Sequence, residues 1–416
     1  AEVVKVALAV CKARAGLAAI PVVAELQDPQ VARGLRQALP GQVLTVVRSE
    51  VVARVAAQTS RAAGLGALYQ ELLDFDGDEI YFDPVPQHLV GRPFAEAILA
   101  SERCSVLGIV RSETGAQLCP DLFMELTHGD QLVLLAEDDS KISFHPQVEE
   151  WMPSRDETLL LRPPTQERTL ILGWNGIAPK IVAEIDQHVA AGSSIHVLVD
   201  SESLVEFESR GIPALVNQRA TFQHGSMIDS ACVDSAVAEG PFQHIMVLCP
   251  YETLSPLQAD ARALLALLHV RNALESRGVD HAHTNVVAEV MRSEAVDLAR
   301  VARPDDFIVS QRLVSLLMAQ LAEDPRRKPV LQELLDSHGA QLRLYPTEDC
   351  GLVGTFTFQE IIQHMSAMGV IALGWKAKSS EANPKALIGG LRVNPDKSES
   401  VNLVGTDSII LLCPSD

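Results

Sequence analysis

The sequence is poor in aromatic residues and in positive charge. Aromatic residues make up 4% of the 416 residues, against 47% for all hydrophobic residues, so we expect an aliphatic core of packed helices and sheets. Lysine plus arginine is 34 and aspartate plus glutamate is 54, giving a formal net charge of −20. A surface of this sign repels phosphate backbones and anionic lipid heads, which argues against nucleic acid as a partner. Divalent cations remain natural ligands for it.

Paired cysteine motifs and long apolar runs are also missing. No C-x-x-C or Cys/His metal-binding spacing occurs, no apolar run has the length needed to cross a bilayer, and no G-x-S-x-G nucleophile turn is present. The dispersed cysteines are expected to be reduced and buried as small apolar side chains. The seven are Cys11, Cys104, Cys119, Cys232, Cys249, Cys350 and Cys413.

The stretch Thr169–Asp200 has the pattern of the first β-α-β unit of a nucleotide-binding fold. A short apolar run reaches a turn at Gly173, a helical periodicity covers Ile177–Val189, and a second apolar run, Ile195–Val199, ends at an acid. This order of strand, tight turn, helix, strand and acid is typical of a Rossmann-like lobe. Strand and helix patterns alternate after it, which predicts a parallel, doubly wound sheet.

The glycine turn of this unit is a candidate anion site. Where G-x-G-x-x-G is expected, the chain has Gly173, Asn175, Gly176 and Ala178, so asparagine replaces the second glycine and narrows the approach to a pyrophosphate. The functional interpretation is a nucleotide, NAD-like or adenine-containing, and the alternative is a turn kept only for helix-sheet packing. The predicted cofactor-binding residues are Gly173, Asn175, Gly176, Asp200 and Gly225.

The two halves of the chain repeat. Val22–Glu25 recurs as Val286–Glu289 with the same four residues, and Gln70–Asp74 recurs as Gln332–Asp336. Further matches follow in the same order at a nearly constant offset, which indicates a duplication. The matches in the later parts of each half are Gly91 with Gly354, Phe94 with Phe358, and Gly129–Leu135 with Gly405–Leu412.

The repeat divides the chain into two modules, each with a Rossmann-like lobe and a small β-rich lobe. The first module is predicted to comprise a partial Rossmann-like lobe at 1–77 and a small lobe at 78–140. A polar linker follows at 141–167, and the second module comprises a complete Rossmann-like lobe at 168–338 and a small lobe at 339–416. Because the first copy lacks its own first strands and glycine turn, we expect those parts to lie upstream of this chain.

This architecture resembles the RCK (regulator of K⁺ conductance) modules that form gating rings of ion channels. The amino-acid sequence is most similar to that of the Castor/Pollux ion-channel family. The resemblance covers most of the chain and is most specific in the second Rossmann-like lobe. The segments that carry it are Leu170–Trp174, Ala259–Leu265, His269–Arg271, Val286–Glu289, Phe307–Arg312, Ser315–Gln320 and Gln70–Tyr81.

The resemblance implies a soluble domain at the cytoplasmic face of a membrane, attached to a pore domain upstream in the same polypeptide. It also implies four chains assembled into a ring of eight RCK modules and gating of the pore by a bound ligand. On this basis the chain is expected to be no enzyme. The alternatives are an NAD-binding Rossmann oxidoreductase and a free-standing regulatory subunit of a transporter.

Acidic residues give a second candidate site, for Ca²⁺. Carboxylates alternate around Gly77 as Ca²⁺ requires of an oxygen-rich loop, although Gln87 stands where an EF-hand would have its last acid. The alternative is an acidic turn before a strand. Two further carboxylates lie at matching strand ends, where such sheets place ligands. The predicted metal ligands are Asp74, Asp76, Asp78, Glu79, Glu25 and Glu289.

Overall fold

The computed structural model describes residues 2–13, 22–146, 165–201, 203–279, 284–299, 302–336, 339–381, 383 and 387–414. The chain divides into two compact units, each formed from two stretches of sequence. Unit 1 comprises 1–66 and 163–325, and unit 2 comprises 67–162 and 326–416. Most of the predicted linker, 147–164, lies outside the described residues.

Unit 1 is built on a six-stranded parallel sheet. The strand order is β12-β11-β10-β7-β8-β9, which reverses direction beside the first strand as in a doubly wound nucleotide-binding fold. Strands β7, β10, β11 and β12 are buried on both faces, which explains their near-continuous apolar runs, whereas the edge strand β9 is largely exposed. They are β7 (Arg168–Leu172), β8 (Ser193–Val199), β9 (Gln218–His224), β10 (His244–Val247), β11 (Asn285–Val290) and β12 (Asp306–Val309).

Six helices of the described part of the chain accompany this sheet. The longest, Pro256–Ser276, starts with a capping box in which Ser255 and Gln258 satisfy each other's backbone groups. Its apolar face packs in the core while Leu257, Leu265 and Leu268 stay exposed. The helices are α6 (Ala178–His188), α7 (Leu204–Arg210), α8 (Ser230–Ala238), α9 (Pro256–Ser276), α10 (Ser293–Ala299) and α11 (Ser310–Glu323).

The N-terminal part of the chain adds a second, smaller parallel sheet to unit 1. Strands β1 (Val22–Leu26) and β2 (Val43–Val47) pair in register, as the equivalent strands β11 and β12 do. The accompanying helices are α1 (Glu2–Ala13), α2 (Pro29–Ala38) and α3 (Arg48–Arg61). The first copy therefore contributes the counterparts of the last two strands of the large sheet.

Unit 2 contains two small antiparallel lobes of identical topology. The first lobe has strand order β3-β6-β4-β5 and the second has β13-β18-β15-β16. The first lobe is formed by β3 (Glu79–Pro84), α5 (Phe94–Ala100), β4 (Ser105–Arg111), β5 (Gly115–Leu118) and β6 (Gln131–Ala136). The second is formed by β13 (Gln341–Pro346), β14 (Gly354–Thr357), α13 (Phe358–Ala367), β15 (Ile371–Lys376), β16 (Leu391–Val393), β17 (Ser400–Leu403) and β18 (Ser408–Cys413). Helices α4 (Leu65–Leu73) and α12 (Arg327–Leu335) lead into them.

Both lobes carry the same irregularity in the same strand. The pairing of β4 with β6 shifts between Val106 and Gly108, and the pairing of β15 with β18 shifts between Ala372 and Gly374. A side chain at either glycine would overlap a backbone carbonyl oxygen of the neighbouring strand. Only glycine lets the strands approach this closely.

The predicted fold class is confirmed, because a parallel Rossmann-like sheet and antiparallel β lobes are both present. Among the described residues, none of the helices combines the length and the apolar character needed to span a membrane.

Candidate functional site

The predicted glycine turn lies at the carboxyl end of β7, at the edge where such sheets bind ligands. Gly173 has φ +84°, and its N–H donates to the Leu198 carbonyl oxygen at 2.9 Å. A Cβ at this position would lie 2.7 Å from the carbonyl oxygen of Leu248. Glycine is therefore required here by the backbone conformation and by packing, with or without a ligand.

Asn175 is fully buried and uses both ends of its carboxamide. Its Oδ1 accepts from the N–H groups of Ile177 and Ala178, both at 3.1 Å, and so satisfies the start of helix α6. Its Nδ2 donates to the Cys249 carbonyl oxygen and to Glu289 Oε2, at 3.0 and 2.8 Å. The residue that replaces the second glycine thus supplies the helix cap that a phosphate supplies in a dinucleotide site.

Gly176 is the third predicted member of the turn. Its N–H donates to Glu252 Oε1 at 2.5 Å, so a carboxylate of the chain itself occupies an anion position at the helix N-terminus. The three N–H groups of Gly176, Ile177 and Ala178 all point at acceptors within the protein. A bound anion at this turn would have to displace the Glu252 side chain.

Asp200 follows β8 at the position of the acid that contacts ribose in dinucleotide sites. It is 1% exposed, accepts from the Ser203 N–H at 3.0 Å, and pairs with the Arg262 guanidinium at 3.3 Å. Gly225 donates its N–H to the Val199 carbonyl oxygen, and a Cβ there would lie 3.0 Å from Cys232 Sγ, a tight contact. Both predicted residues lie at the expected edge, and Asp200 is engaged by the chain's own arginine.

Glu289 is a second deeply buried carboxyl of this edge, at 2% exposure. It accepts from Ser310 Oγ at 2.5 Å, from Asn175, and from the Cys249 N–H. Burial raises the pKa of the Glu289 carboxyl above its ordinary value, and these hydrogen bonds oppose that rise only in part. Glu289 is therefore a hydrogen-bonding partner that fastens the turn to β11.

The predicted metal ligands do not converge. Within the residues that the structure describes, no group of three or more His, Cys, Asp or Glu side chains is placed to hold a metal ion. Asp74 accepts from the Phe75 N–H, Asp78 accepts from Asn394, and Glu79 pairs with Arg327 at 3.4 Å. Glu25 and Glu289 lie in two different sheets, on β1 and β11. The described carboxylates thus favour the alternative of an acidic turn before β3.

Sequence reasoning located the turn but missed the side chains that occupy it. Glu252 and Arg262 lie about 80 and 60 residues after the groups they contact, and no local pattern marks them. Asn175 was the available signal, because Asn is a favoured helix N-cap residue as well as a break in the glycine motif.

Comparison with known proteins finds similarity to one family of ion channels. Residues 49–152 match the family model described as Castor and Pollux, part of voltage-gated ion channel. The chain is 24% identical over 339 residues to the probable ion channel CASTOR of Oryza sativa subsp. japonica, covering 74% of this chain and 38% of that protein. It is 24% identical over 386 residues to the ion channel CASTOR of Lotus japonicus, covering 83% and 44%.

Among solved structures, the human SLO3 gating ring has a similar fold. It matches at a TM-score of 0.66 and 12% identity, covering 99% of this chain and 84% of that one. The chain spans about two fifths of the length of the curated relatives it matches. Those relatives are ion channels and not enzymes, which supports the channel prediction over the oxidoreductase alternative. The chain is therefore similar in sequence to Castor/Pollux ion channels, and its fold is similar to that of the human SLO3 gating ring.

Proposed function

We propose that this chain is the ligand-sensing gating region of a Castor/Pollux-like cation channel. The observation that carries the proposal is the duplication: two small lobes of identical topology follow Rossmann-like segments in a chain whose relatives are ion channels. Four chains would supply the eight modules of a gating ring, attached to a pore domain upstream in the same polypeptide. A ring of this kind converts occupancy of its crevices into movement of the attached pore.

Gating by such a ring requires two arrangements with different ligand affinities. A ligand that binds the open arrangement more tightly shifts the population toward it, and the size of the shift is limited by that difference in affinity. Ca²⁺ and an adenine or NAD-like nucleotide are the two proposed ligand classes. The nucleotide is favoured, because the glycine turn is at the right edge of the sheet whereas the described carboxylates form no cation cluster.

Glu252 gives this nucleotide proposal a specific form. Its carboxylate contacts the Gly176 N–H where a phosphate would bind, so nucleotide binding and the Glu252 contact exclude each other. Glu252→Gln removes the competing charge and should raise nucleotide affinity severalfold. A titration of the chain with ADP and with NAD⁺ tests this, with the exposed Glu113→Gln as a control. Equal or weaker nucleotide binding by Glu252→Gln would remove the turn from the list of ligand sites.

The experiment that tests the function is recording from the full-length polypeptide in planar bilayers. We expect a cation current whose open probability changes when Ca²⁺ or NAD⁺ is added on the side of this chain. Absence of current, or a current indifferent to both additions, would contradict the proposal.

Assembly is tested on the chain itself by light scattering. The exposed leucines of α9, Leu265 and Leu268, lie one turn apart on the same face, and we expect that face to contribute to contacts between chains. Wild type should have the mass of four 45.0 kDa chains. Leu265→Glu with Leu268→Glu should lower the mass without changing the circular dichroism, whereas Val216→Glu, also at an exposed position, should not. A monomeric wild type would contradict the ring.

A further inference from the structure

A cavity of about 780 Å³ lies in unit 2, with walls from both small lobes. This volume is within the range of about 300 to 1,000 Å³ that is usual for small-molecule sites. The first lobe contributes Glu102, Arg103 and His145, and the second contributes the start of α13 and the loop before β17. None of these residues belongs to the glycine turn or to the acidic loop.

One wall residue, Lys397, carries an amine in an unusual environment. Its Nζ is buried and has no hydrogen-bond partner among the residues that the structure describes. It lies 5.2 Å from the centre of the Phe358 ring, itself fully buried, and near the buried thiol of Cys104. Burial lowers the pKa of Lys397 to about 8, because no carboxylate offsets the loss of water around the charge.

The repeat identifies the residue of the first lobe that is equivalent to Lys397. In the first lobe the Ala95 N–H donates to the Leu122 carbonyl oxygen at 3.0 Å, and in the second the Gln359 N–H donates to that of Lys397 at 2.9 Å. Lys397 is therefore the counterpart of Leu122, which is 3% exposed. The same backbone holds leucine in one copy and lysine in the other.

The difference extends to the neighbouring wall positions. Second-lobe wall residues are polar where their first-lobe counterparts are apolar, although the turns are the same: Met124 N–H donates to Asp121 as Glu399 N–H donates to Asp396. The pairs are Thr357 with Pro93, Gln359 with Ala95, Lys397 with Leu122 and Ser398 with Phe123. Folding alone does not require this polarity, because the first lobe folds without it.

The charged groups of the wall favour an anion as the missing partner of Lys397. Arg103 adds its positive charge to that of Lys397. Of the two acids, Glu102 accepts from Ser143 Oγ at 2.7 Å and lies 3.4 Å from His145 Nε2, so its charge is already engaged. Asp396 is exposed to solvent. The wall thus holds two basic side chains, Arg103 and Lys397, one carboxylate already hydrogen-bonded to Ser143, and one carboxylate exposed to solvent.

We propose that this cavity binds a small anionic molecule whose carboxylate or phosphate group pairs with the Lys397 ammonium group. In the structure the Lys397 amine lies over the Phe358 ring. When an anion enters, the flexible stem brings the amine to it, and a neutral amine takes up a proton from solvent as the pair forms. Binding is therefore linked to proton uptake. The site exists in the chain whether or not the chain gates a pore.

Calorimetric titration of the 416-residue chain with succinate and, separately, with inorganic phosphate tests the site. We expect saturable binding of one anion per chain at pH 7, weakened at least tenfold by Lys397→Met and severalfold by Arg103→Gln. Lys378→Met, at an exposed lysine of the same lobe, should bind as wild type does. Saturation by succinate alone indicates a carboxylate ligand, and saturation by phosphate alone indicates a phosphate ester.

The pH dependence separates pairing with Lys397 from general charge attraction. Succinate keeps its charge between pH 7 and 9, whereas the protonated fraction of an amine with pKa about 8 falls from about nine tenths to about one tenth. The dissociation constant should therefore rise about tenfold over this interval, and should not in Lys397→Met. Unchanged binding in Lys397→Met, or saturation by neither anion, would overturn the proposal.

Discussion

The two small lobes of unit 2 have the same backbone arrangement but differ in the side chains that they bury at equivalent positions. Strand order, the shifted pairing in β4 and β15, and the turns after Asp121 and Asp396 are common to both. Leu122 in one lobe and Lys397 in the other occupy the same position. The shared strand order, shifted pairing and turns are what the fold requires. The fold does not require a lysine in place of leucine, so we attribute Lys397 to the proposed anion site of the second lobe.

The largest expected effect on stability comes from giving the first lobe the lysine of the second. Leu122→Lys would place a charged amine in an apolar site built for leucine, and we expect a loss of about 4 kcal/mol in the free energy of unfolding. Urea denaturation followed by circular dichroism measures it, with the exposed Glu113→Lys as a control that should stay within about 0.5 kcal/mol of wild type. A loss of under 1 kcal/mol would mean that both lobes accept a lysine equally well.

The shared glycines test what the lobes have in common. Gly374→Ala should cost about 3 kcal/mol, because a Cβ would overlap the Arg392 carbonyl oxygen and the backbone has φ +152°. Gly108→Ala should cost somewhat less, since a Cβ there meets the Gln117 carbonyl oxygen but without a positive φ. Thermal unfolding compares the two with Gly34→Ala, where a Cβ meets nothing within 4 Å. Costs similar to that of Gly34→Ala would show that the two strands can separate freely.

The smallest expected effect on stability comes from giving the second lobe the leucine of the first. Lys397→Leu should raise the free energy of unfolding at pH 7 by about 2 kcal/mol, because it removes an unpaired buried amine. The folded-state pKa of Lys397, about 8, is below the ordinary 10.5, so its burial is unfavourable below pH 8 and this cost disappears as pH rises to 10.5. The gain should therefore shrink between pH 8 and 10.5.

Denaturation curves at pH 7 and pH 10.5 measure that change. A destabilised Lys397→Leu at pH 7 would show that the lysine supports the lobe structurally, which would weaken the case for a ligand partner.

The sequence was sufficient to predict the repeat, the Rossmann-like segments and the position of the glycine turn. Each of them depends on local periodicity or on short identical segments in the two halves. It was not sufficient to predict that Glu252 and Arg262 engage the turn and Asp200, since those contacts depend on how distant loops meet. The Ca²⁺ prediction was based on the spacing of Asp74, Asp76, Asp78 and Glu79. Asn394 and Arg327, which contact Asp78 and Glu79 in the structure, lie far away in sequence, so no local pattern predicts these contacts.

Lys397 was invisible to sequence reasoning for a related reason. A single lysine in a loop is normally exposed, and only the alignment of the two lobes by their hydrogen bonds identifies its counterpart as leucine. The predicted burial of the cysteines, by contrast, is confirmed for six of the seven, and is wrong for Cys232, which is only partly buried.

Fusion of the two copies in one polypeptide has a consequence for stoichiometry. Two identical lobes from separate chains would have to carry the lysine at both positions or at neither, whereas a duplicated gene can alter one copy and leave the other as a scaffold. A four-chain assembly would then bind four anions rather than eight, and each anion would report on one chain.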